Sequence, residues 1–107
     1  MMERSPNDLV LTRFRGAVTE IYGERVERVV LYGSRARGEH RPESDYDLAV
    51  FLRDMPERAK EMARLAELET DILYDTGAVI NALPFPADAY RERTGFMSEL
   101  RKDGRDL

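Results

Sequence analysis

Apolar positions along the chain recur with two different periods, and the periods name the elements. Val10, Phe14, Ala17, Val18 and Ile21 lie three and four residues apart, which draws one apolar stripe along a helix. Ser5-Pro6-Asn7-Asp8 supplies its start, with a capping residue, a proline suited to the first helical position and an acid three residues after the cap. Gly23 supplies its end. From Val26 to Tyr32 the chain is rich in β-branched residues and alternates Val26, Arg28, Val30 and Tyr32 against Glu27, Val29 and Leu31, which predicts a strand. A second strand is predicted from about Ser44 to Leu52. Tyr46, Leu48, Val50 and Leu52 share one of its faces, and Asp45, Asp47, Ala49 and Phe51 the other. Glu39 to Ser44, charged and interrupted by Pro42, is a surface loop.

Pro56 opens a long helix to about Tyr74, with Met62, Leu65, Ala66, Leu68, Ile72 and Leu73 as a broad apolar stripe and acids and arginines over much of the remainder. Thr76-Gly77 stops it. Ala78 to Leu83 reads as a third strand, ended by Pro84 and Pro86 because proline cannot donate to a sheet ladder. Two short helices follow, Pro86 to Arg93 and Phe96 to Asp103, the second ended by Gly104. This order predicts an α/β (α+β) fold: a small mixed β-sheet of three or four strands with helices packed on one face.

Composition narrows the picture. At 107 residues the chain is expected to form a single domain, 1–107, too small for a separate substrate domain. Its net charge of −4 and pI near 5.1 argue against a standing nucleic-acid partner, since duplex binding depends on cation contacts with phosphates. Lys60 and Lys102 are the only lysines among seventeen basic residues, so the positive charge is nearly all guanidinium. The absence of cysteine removes disulfide, zinc-thiolate and cysteine-nucleophile chemistry together. The one histidine, His40, stands in the loop beside Arg41-Pro42 and reads as a surface residue. No apolar run is long enough to span a bilayer, and the charged amino terminus is not followed by an apolar signal core, so a cytoplasmic protein without a membrane partner is expected.

The candidate chemistry is concentrated between Val29 and Leu52. Asp45 and Asp47, two apart on a strand, point the same way with their Cα atoms roughly 7 Å apart. Magnesium takes oxygen ligands and is commonly held by one or two carboxylates together with substrate phosphates. Gly33 lets the backbone approach a ligand, Ser34 can cap a helical turn, and the N–H groups of such a turn attract anions. Arg35 and Arg37 follow as guanidinium donors suited to phosphate.

Gly33-Ser34, ten intervening residues and then Asp45-x-Asp47, within GSRARG at 33–38 and SDYDLAV at 44–50, resembles the signature of the minimal nucleotidyltransferases of the DNA polymerase β-like superfamily. The resemblance implies that Gly33 and Ser34 hold a nucleoside triphosphate, that Asp45 and Asp47 bind catalytic Mg2+, and that ATP is the donor. It points to antitoxins that neutralise HEPN-type ribonuclease toxins by attaching AMP to a toxin tyrosine, and hence to a hetero-oligomer. Two other readings stay open: a non-catalytic module that masks a toxin, and a small-molecule nucleotidyltransferase of the aminoglycoside-modifying kind. The chain departs from the family pattern in its third strand, where a further aspartate is usual. Asn81 is the polar residue of that strand, and by alternation it is expected on the face that carries Asp45 and Asp47. A neutral amide can offer an oxygen to magnesium but cannot take a proton from the acceptor.

Overall fold

A computed structural model describes residues 6–107, with side chains described from Leu9 onward. The capping role expected of Ser5 lies outside the described residues. Helix α1 spans Pro6–Tyr22, and a 3-10 turn at Gly23–Arg25 delivers the chain to strand β1, Val26–Tyr32. The short helix α2, Ser34–Arg37, precedes β2, Tyr46–Leu52. Helix α3, Arg58–Thr76, leads into β3, Ile80–Pro86. A 3-10 turn at Ala87–Arg91, helix α4 at Gly95–Asp103 and a two-residue strand β4 at Arg105–Asp106 complete the fold. The sheet order is β3-β2-β1-β4, with β2 parallel to β3 and the other two pairings antiparallel.

The two faces of the sheet are buried in different ways. On one, Val29 and Leu31 of β1 and Tyr46, Leu48, Val50 and Leu52 of β2 pack beneath α1 and α3 as the main core. This is the helix-covered face expected from the pattern. The other face carries Val30, Ala49 and Phe51, and is covered toward one end by Ala89, Met97 and Leu100 of the C-terminal elements. Thr94 caps α4 by accepting the Met97 N–H at 3.1 Å. The segment expected as a helix from Pro86 to Arg93 is the 3-10 turn. Gly104 caps the end of α4 with its N–H on the Leu100 carbonyl at 2.8 Å, and a Cβ there would overlap that carbonyl and Val30.

Three details of the apolar pattern are corrected. On α1 the core positions are Val10, Leu11, Phe14, Val18 and Tyr22, while Ile21 sits on the helix shoulder, exposed. On α3 the buried side is narrower than expected: Leu65, Leu68 and Ile72 face the sheet, and Met62, Ala66 and Leu73 face solvent. Pro84 and Pro86 do not end the third strand. The Val79 carbonyl accepts the Tyr46 N–H at 2.8 Å, so odd-numbered residues of this edge strand bond to β2 and even-numbered ones face outward. A proline at an outward position gives up no ladder bond. Ala82, also outward, donates its N–H to the Glu69 carboxylate at 3.0 Å.

One charge is drawn into the join between α1, α3 and the sheet. Glu61 is 3% exposed and accepts from Arg25 at 2.9 Å, and Arg25 also donates to the Asp54 carbonyl. Tyr22 lies against the same carboxylate, with its hydroxyl pushed up to about 12 by burial and then by the Glu61 charge. Neither that hydroxyl nor Glu61 Oε1 meets strict hydrogen-bond geometry, so the ion pair with Arg25 carries the cluster. Burial raises the Glu61 pKa, but Arg25, Tyr22 and Arg64 together outweigh it and hold the carboxyl below its usual range. A depressed carboxyl pKa stabilises the fold above the unfolded value, and that contribution is lost as pH falls through the folded one. Glu61→Gln should therefore lower stability at neutral pH by about 1–3 kcal/mol. Urea melts at pH 7 and pH 3 check this, with the gap between wild type and variant closing at the lower pH.

Candidate functional site

The site is assembled by strand register. Asp47 lies opposite Tyr32 in the antiparallel ladder with β1 and opposite Asn81 in the parallel ladder with β3. Those three residues form a row across the sheet, and residues aligned in a row present their side chains to the same face. Asp45 stands just ahead of β2, although the bond from Tyr46 to Val79 already ties that point to the third strand. The Asn81 amide reaches both carboxylates, donating from Nδ2 to Asp45 Oδ2 at 2.9 Å and to Asp47 Oδ1 at 3.5 Å. Asn81 thus shares the face of the two aspartates, as alternation implied.

On the other side of Asp47 the chain leaves β1 through Gly33, at φ 76° and ψ −157°. Only glycine adopts this conformation without strain, and a Cβ here would overlap Oδ2 of Asp47. The glycine carbonyl accepts from the N–H groups of Ala36 and Arg37 at 3.1 and 3.2 Å, which winds α2 out of the turn that touches Asp47. Gly33 rather than Ser34 holds the capping position, and Ser34 is the first residue of the helical turn. Gly38, left-handed at φ 74°, closes the turn.

The two arginines separate. Arg37 is exposed and pairs with Glu39 at 2.6 Å, and its charge favours ionised Asp47. The phosphate contact expected of Arg35 is not supported: that side chain is 5% exposed and points inward. It donates from Nε and Nη2 to the Ser44 carbonyl at 3.0 and 2.8 Å and from Nη2 to the Pro42 carbonyl at 3.1 Å. Its guanidinium also lies 3.8 Å from the centre of the Tyr46 ring. These contacts fold the 39–44 loop back onto the core and place Ser44, the residue before Asp45.

The electrostatics single out Asp47. It is half-buried where Asp45 is exposed. Burial lifts its carboxyl above the ordinary pKa, the Asn81 hydrogen bond counters this, the Asp45 charge adds to it and Arg37 opposes it. Two carboxylates held together in this way gain by sharing a cation. The donors fit magnesium, which prefers hard oxygen ligands, and a half-turn of the Asn81 amide would add its oxygen to theirs. Among the described residues no group of three or more His, Cys, Asp or Glu side chains could hold a metal. Substrate phosphate and water would have to complete the octahedron.

One neighbour of the carboxylates was not foreseen from the sequence as part of the site. Tyr32 is half-buried beside Asp47, its hydroxyl pushed up to about 12 by burial and then by the Asp47 charge. Phe96 packs edge-on against it with ring centres 5.3 Å apart. The alternation that put Val30 and Tyr32 on one face of β1 was the available signal for Tyr32, while Phe96 comes from a distant helix and had none.

Comparison with known proteins sets this geometry in context. The family model described as "Nucleotidyltransferase domain" matches residues 11–103. Two proteins of Methanocaldococcus jannaschii carry provisional names as protein adenylyltransferases. The first, MJ0141, is 33% identical over 95 residues, covering 89% of this chain and 92% of the relative. The second, MJ0604, is 27% identical over 99 residues, covering 91% and 93%. In three dimensions the chain is similar to one in the crystal structure of a toxin-antitoxin with AMP-PNP. The TM-score is 0.61 at 16% identity, over 96% of this chain and 72% of that one. It is also similar to one in a complex of tri-AMPylated Shewanella oneidensis HEPN toxin with MNT antitoxin, with a TM-score of 0.61 at 15% identity over 92% and 69%. At such identities the structural likeness shows a shared fold.

The packing at Gly33 yields a direct test. Gly33→Ala should combine a strained left-handed backbone with displacement of the Asp47 carboxylate, for a loss of about 1–3 kcal/mol. Differential scanning calorimetry of the purified variant checks it. Gly16, in α1 with open space around its Cα, provides the contrast: Gly16→Ala should hold or raise the melting temperature.

Proposed function

The chain belongs to the nucleotidyltransferase domain family, and from that premise we propose that it transfers AMP from magnesium ATP to a tyrosine hydroxyl of a partner HEPN-type ribonuclease toxin, acting in the cytoplasm as that toxin's antitoxin. The observation that carries this reading is the meeting at Asp47 of the Gly33 turn and of Asn81, which also bonds Asp45. A glycine turn that only a residue without Cβ could bring so close adjoins a paired carboxylate. The names of the two archaeal relatives support a protein acceptor, and the fold shared with antitoxin chains supports a toxin as that acceptor.

In the proposed reaction the acceptor oxygen attacks the α-phosphorus and forms the new P–O bond. The bond from that phosphorus to the bridging oxygen breaks, its electron pair leaves with pyrophosphate, and the hydroxyl proton passes to water. Asp45 and Asp47 would hold magnesium, which when bound neutralises charge at the α-phosphate and lowers the pKa of the attacking hydroxyl. The Gly33-Ser34 turn would receive the departing pyrophosphate. Arg37 would exchange its surface partner Glu39 for phosphate, whereas Arg35 stays committed to the loop.

Asn81 favours a second reading, in which the module binds nucleotide and toxin without transferring AMP. An amide cannot accept the acceptor's proton, and a positioned base is typically worth roughly 10²–10⁴ in rate. Incubation of ATP labelled in the α-phosphate with the chain and its toxin separates the two readings, because only the first puts label on a toxin tyrosine.

Two further outcomes are expected. Asp45→Asn/Asp47→Asn should abolish magnesium-dependent ATP binding, and titration calorimetry that finds the affinity unchanged would refute the assignment of these carboxylates. Asn81→Asp should set a third carboxylate against the pair and lose their shared donor. In EDTA the melting temperature should fall by about 4–8 °C, for a loss near 1 kcal/mol. Millimolar magnesium should restore it, and AMP transfer should accelerate. Equal melting temperatures in EDTA, or no recovery with magnesium, would count against an Asn81 role at the metal site.

A further inference from the structure

The face that carries the carboxylates continues inward as further rows of the same sheet. Tyr32, Asp47 and Asn81 make the first row, Val30, Ala49 and Leu83 the second, and Phe51 and Phe85 stand in the third. Successive rows on one face are two residues apart along each strand, which is about 7 Å. Helix α4 lies over this ground. Met97 and Leu100 root it in the core of that face, and the Thr94 cap fixes its first turn. Phe96, in that turn, is 41% exposed. Its ring meets Tyr32 edge-on with centres 5.3 Å apart, and Phe85 at 5.7 Å with a tilt of 35°. Tyr32 belongs to the first row and Phe85 to the third, so the ring bridges the ground between them, inward of the carboxylates.

The other large apolar side chains left exposed among the described residues lie on α1 and α3, in the opposite layer, apart from Val79 at the rim. Phe96 is thus the exposed aromatic ring of the site's own face. It is also braced: Phe85 stacks on Phe51 at 5.4 Å and 24°, and Phe51 meets Tyr90 edge-on at 5.4 Å. A ring already held in place loses little freedom when a second flat group covers it.

A nucleoside triphosphate brings such a group to this place. With its phosphates at the Gly33 turn and its α-phosphate at Asp45 and Asp47, a single ribose separates the α-phosphorus from the base, a span comparable to one row of the sheet. The turn occupies the β1 side of Asp47. Outward of the first row the sheet ends, since β1 stops at Tyr32 and β2 starts at Tyr46. The surface that remains within reach of the base on this face is Phe96, with the half-buried Leu83 of the second row.

We propose that Phe96 stacks on the base of the bound nucleotide, so that α4 holds the nucleoside while the turn and the carboxylates hold the triphosphate. The inference rests on the transferase reading and deepens it by assigning the nucleoside end of the site. Stacking accepts the face of any base, so Phe96 supplies affinity and leaves the choice among bases to other contacts.

Titration calorimetry of the full chain with magnesium ATP and with magnesium tripolyphosphate, which has no nucleoside, tests this. Phe96→Leu keeps an apolar side chain against Tyr32 and Phe85 but removes the ring. In this variant ATP affinity should fall about tenfold while tripolyphosphate affinity stays within about twofold of wild type. Magnesium GTP should lose as much as magnesium ATP. The chain contains no tryptophan, so Phe96→Trp places a single indole at the proposed contact. Its fluorescence should be quenched by magnesium ATP and not by tripolyphosphate. Unchanged ATP affinity in Phe96→Leu, or an equal loss for ATP and tripolyphosphate, would overturn the stacking role and leave the functional reading standing. A wild-type chain that binds neither ligand would overturn both.

Discussion

The carboxylate site depends on how closely the backbone at Gly33 approaches Asp47. That approach requires a residue without Cβ in a left-handed conformation, at the point where β1 ends opposite Asp47. It also requires the register of β1 against β2 to be correct to the residue, because a shift of one would turn the carboxylate to the other face. The apolar side chains that alternate along β2 enforce the register: Leu48, Val50 and Leu52 are fully buried under the long helices, and Ala49 and Phe51 are fully buried on the reverse. Core packing and site geometry are therefore one constraint seen from two ends of the strand.

Arg35 shows how a charged residue can serve such a site without touching a ligand. A loop between two strands leaves peptide carbonyls without partners, and here the guanidinium gathers those of Pro42 and Ser44 while stacking on Tyr46. The residue that follows Ser44 is the first aspartate, so an ordered loop becomes an ordered carboxylate. Arg37, two residues on, faces solvent and keeps its charge available. The four-residue helix between the strands sorts two chemically identical side chains into a tie and a candidate ligand.

Much of this was legible in the residues. Alternation in β2 and β3 foretold that Asp45, Asp47 and Asn81 share a face, and the spacing of Gly33-Ser34 from the aspartates foretold that turn and carboxylates meet. What escaped was decided by position within the sheet. Prolines 84 and 86 read as terminators because the sequence does not say which strand lies at an edge or which of its residues face outward. The inward turn of Arg35 depends on carbonyls whose orientation is a tertiary property. The partition of α3 into a narrow buried side and an exposed Met62, Ala66 and Leu73 depends on what the helix packs against, which its own periodicity leaves open. Glu61 sits where an apolar residue would be expected, and only the approach of Arg25 from another element makes that tolerable.

The outer edge of β3 has a consequence for association. Of its outward positions, Ala82 is already bonded to Glu69, and Pro84 and Pro86 have no N–H to give. An incoming strand would find almost no donors to zip onto, so the edge resists both cross-β self-assembly and the lending of a strand by another protein. Any partner that settles beside this edge must recognise it through side chains. Recognition of that kind can be rewritten one residue at a time without disturbing the sheet beneath it.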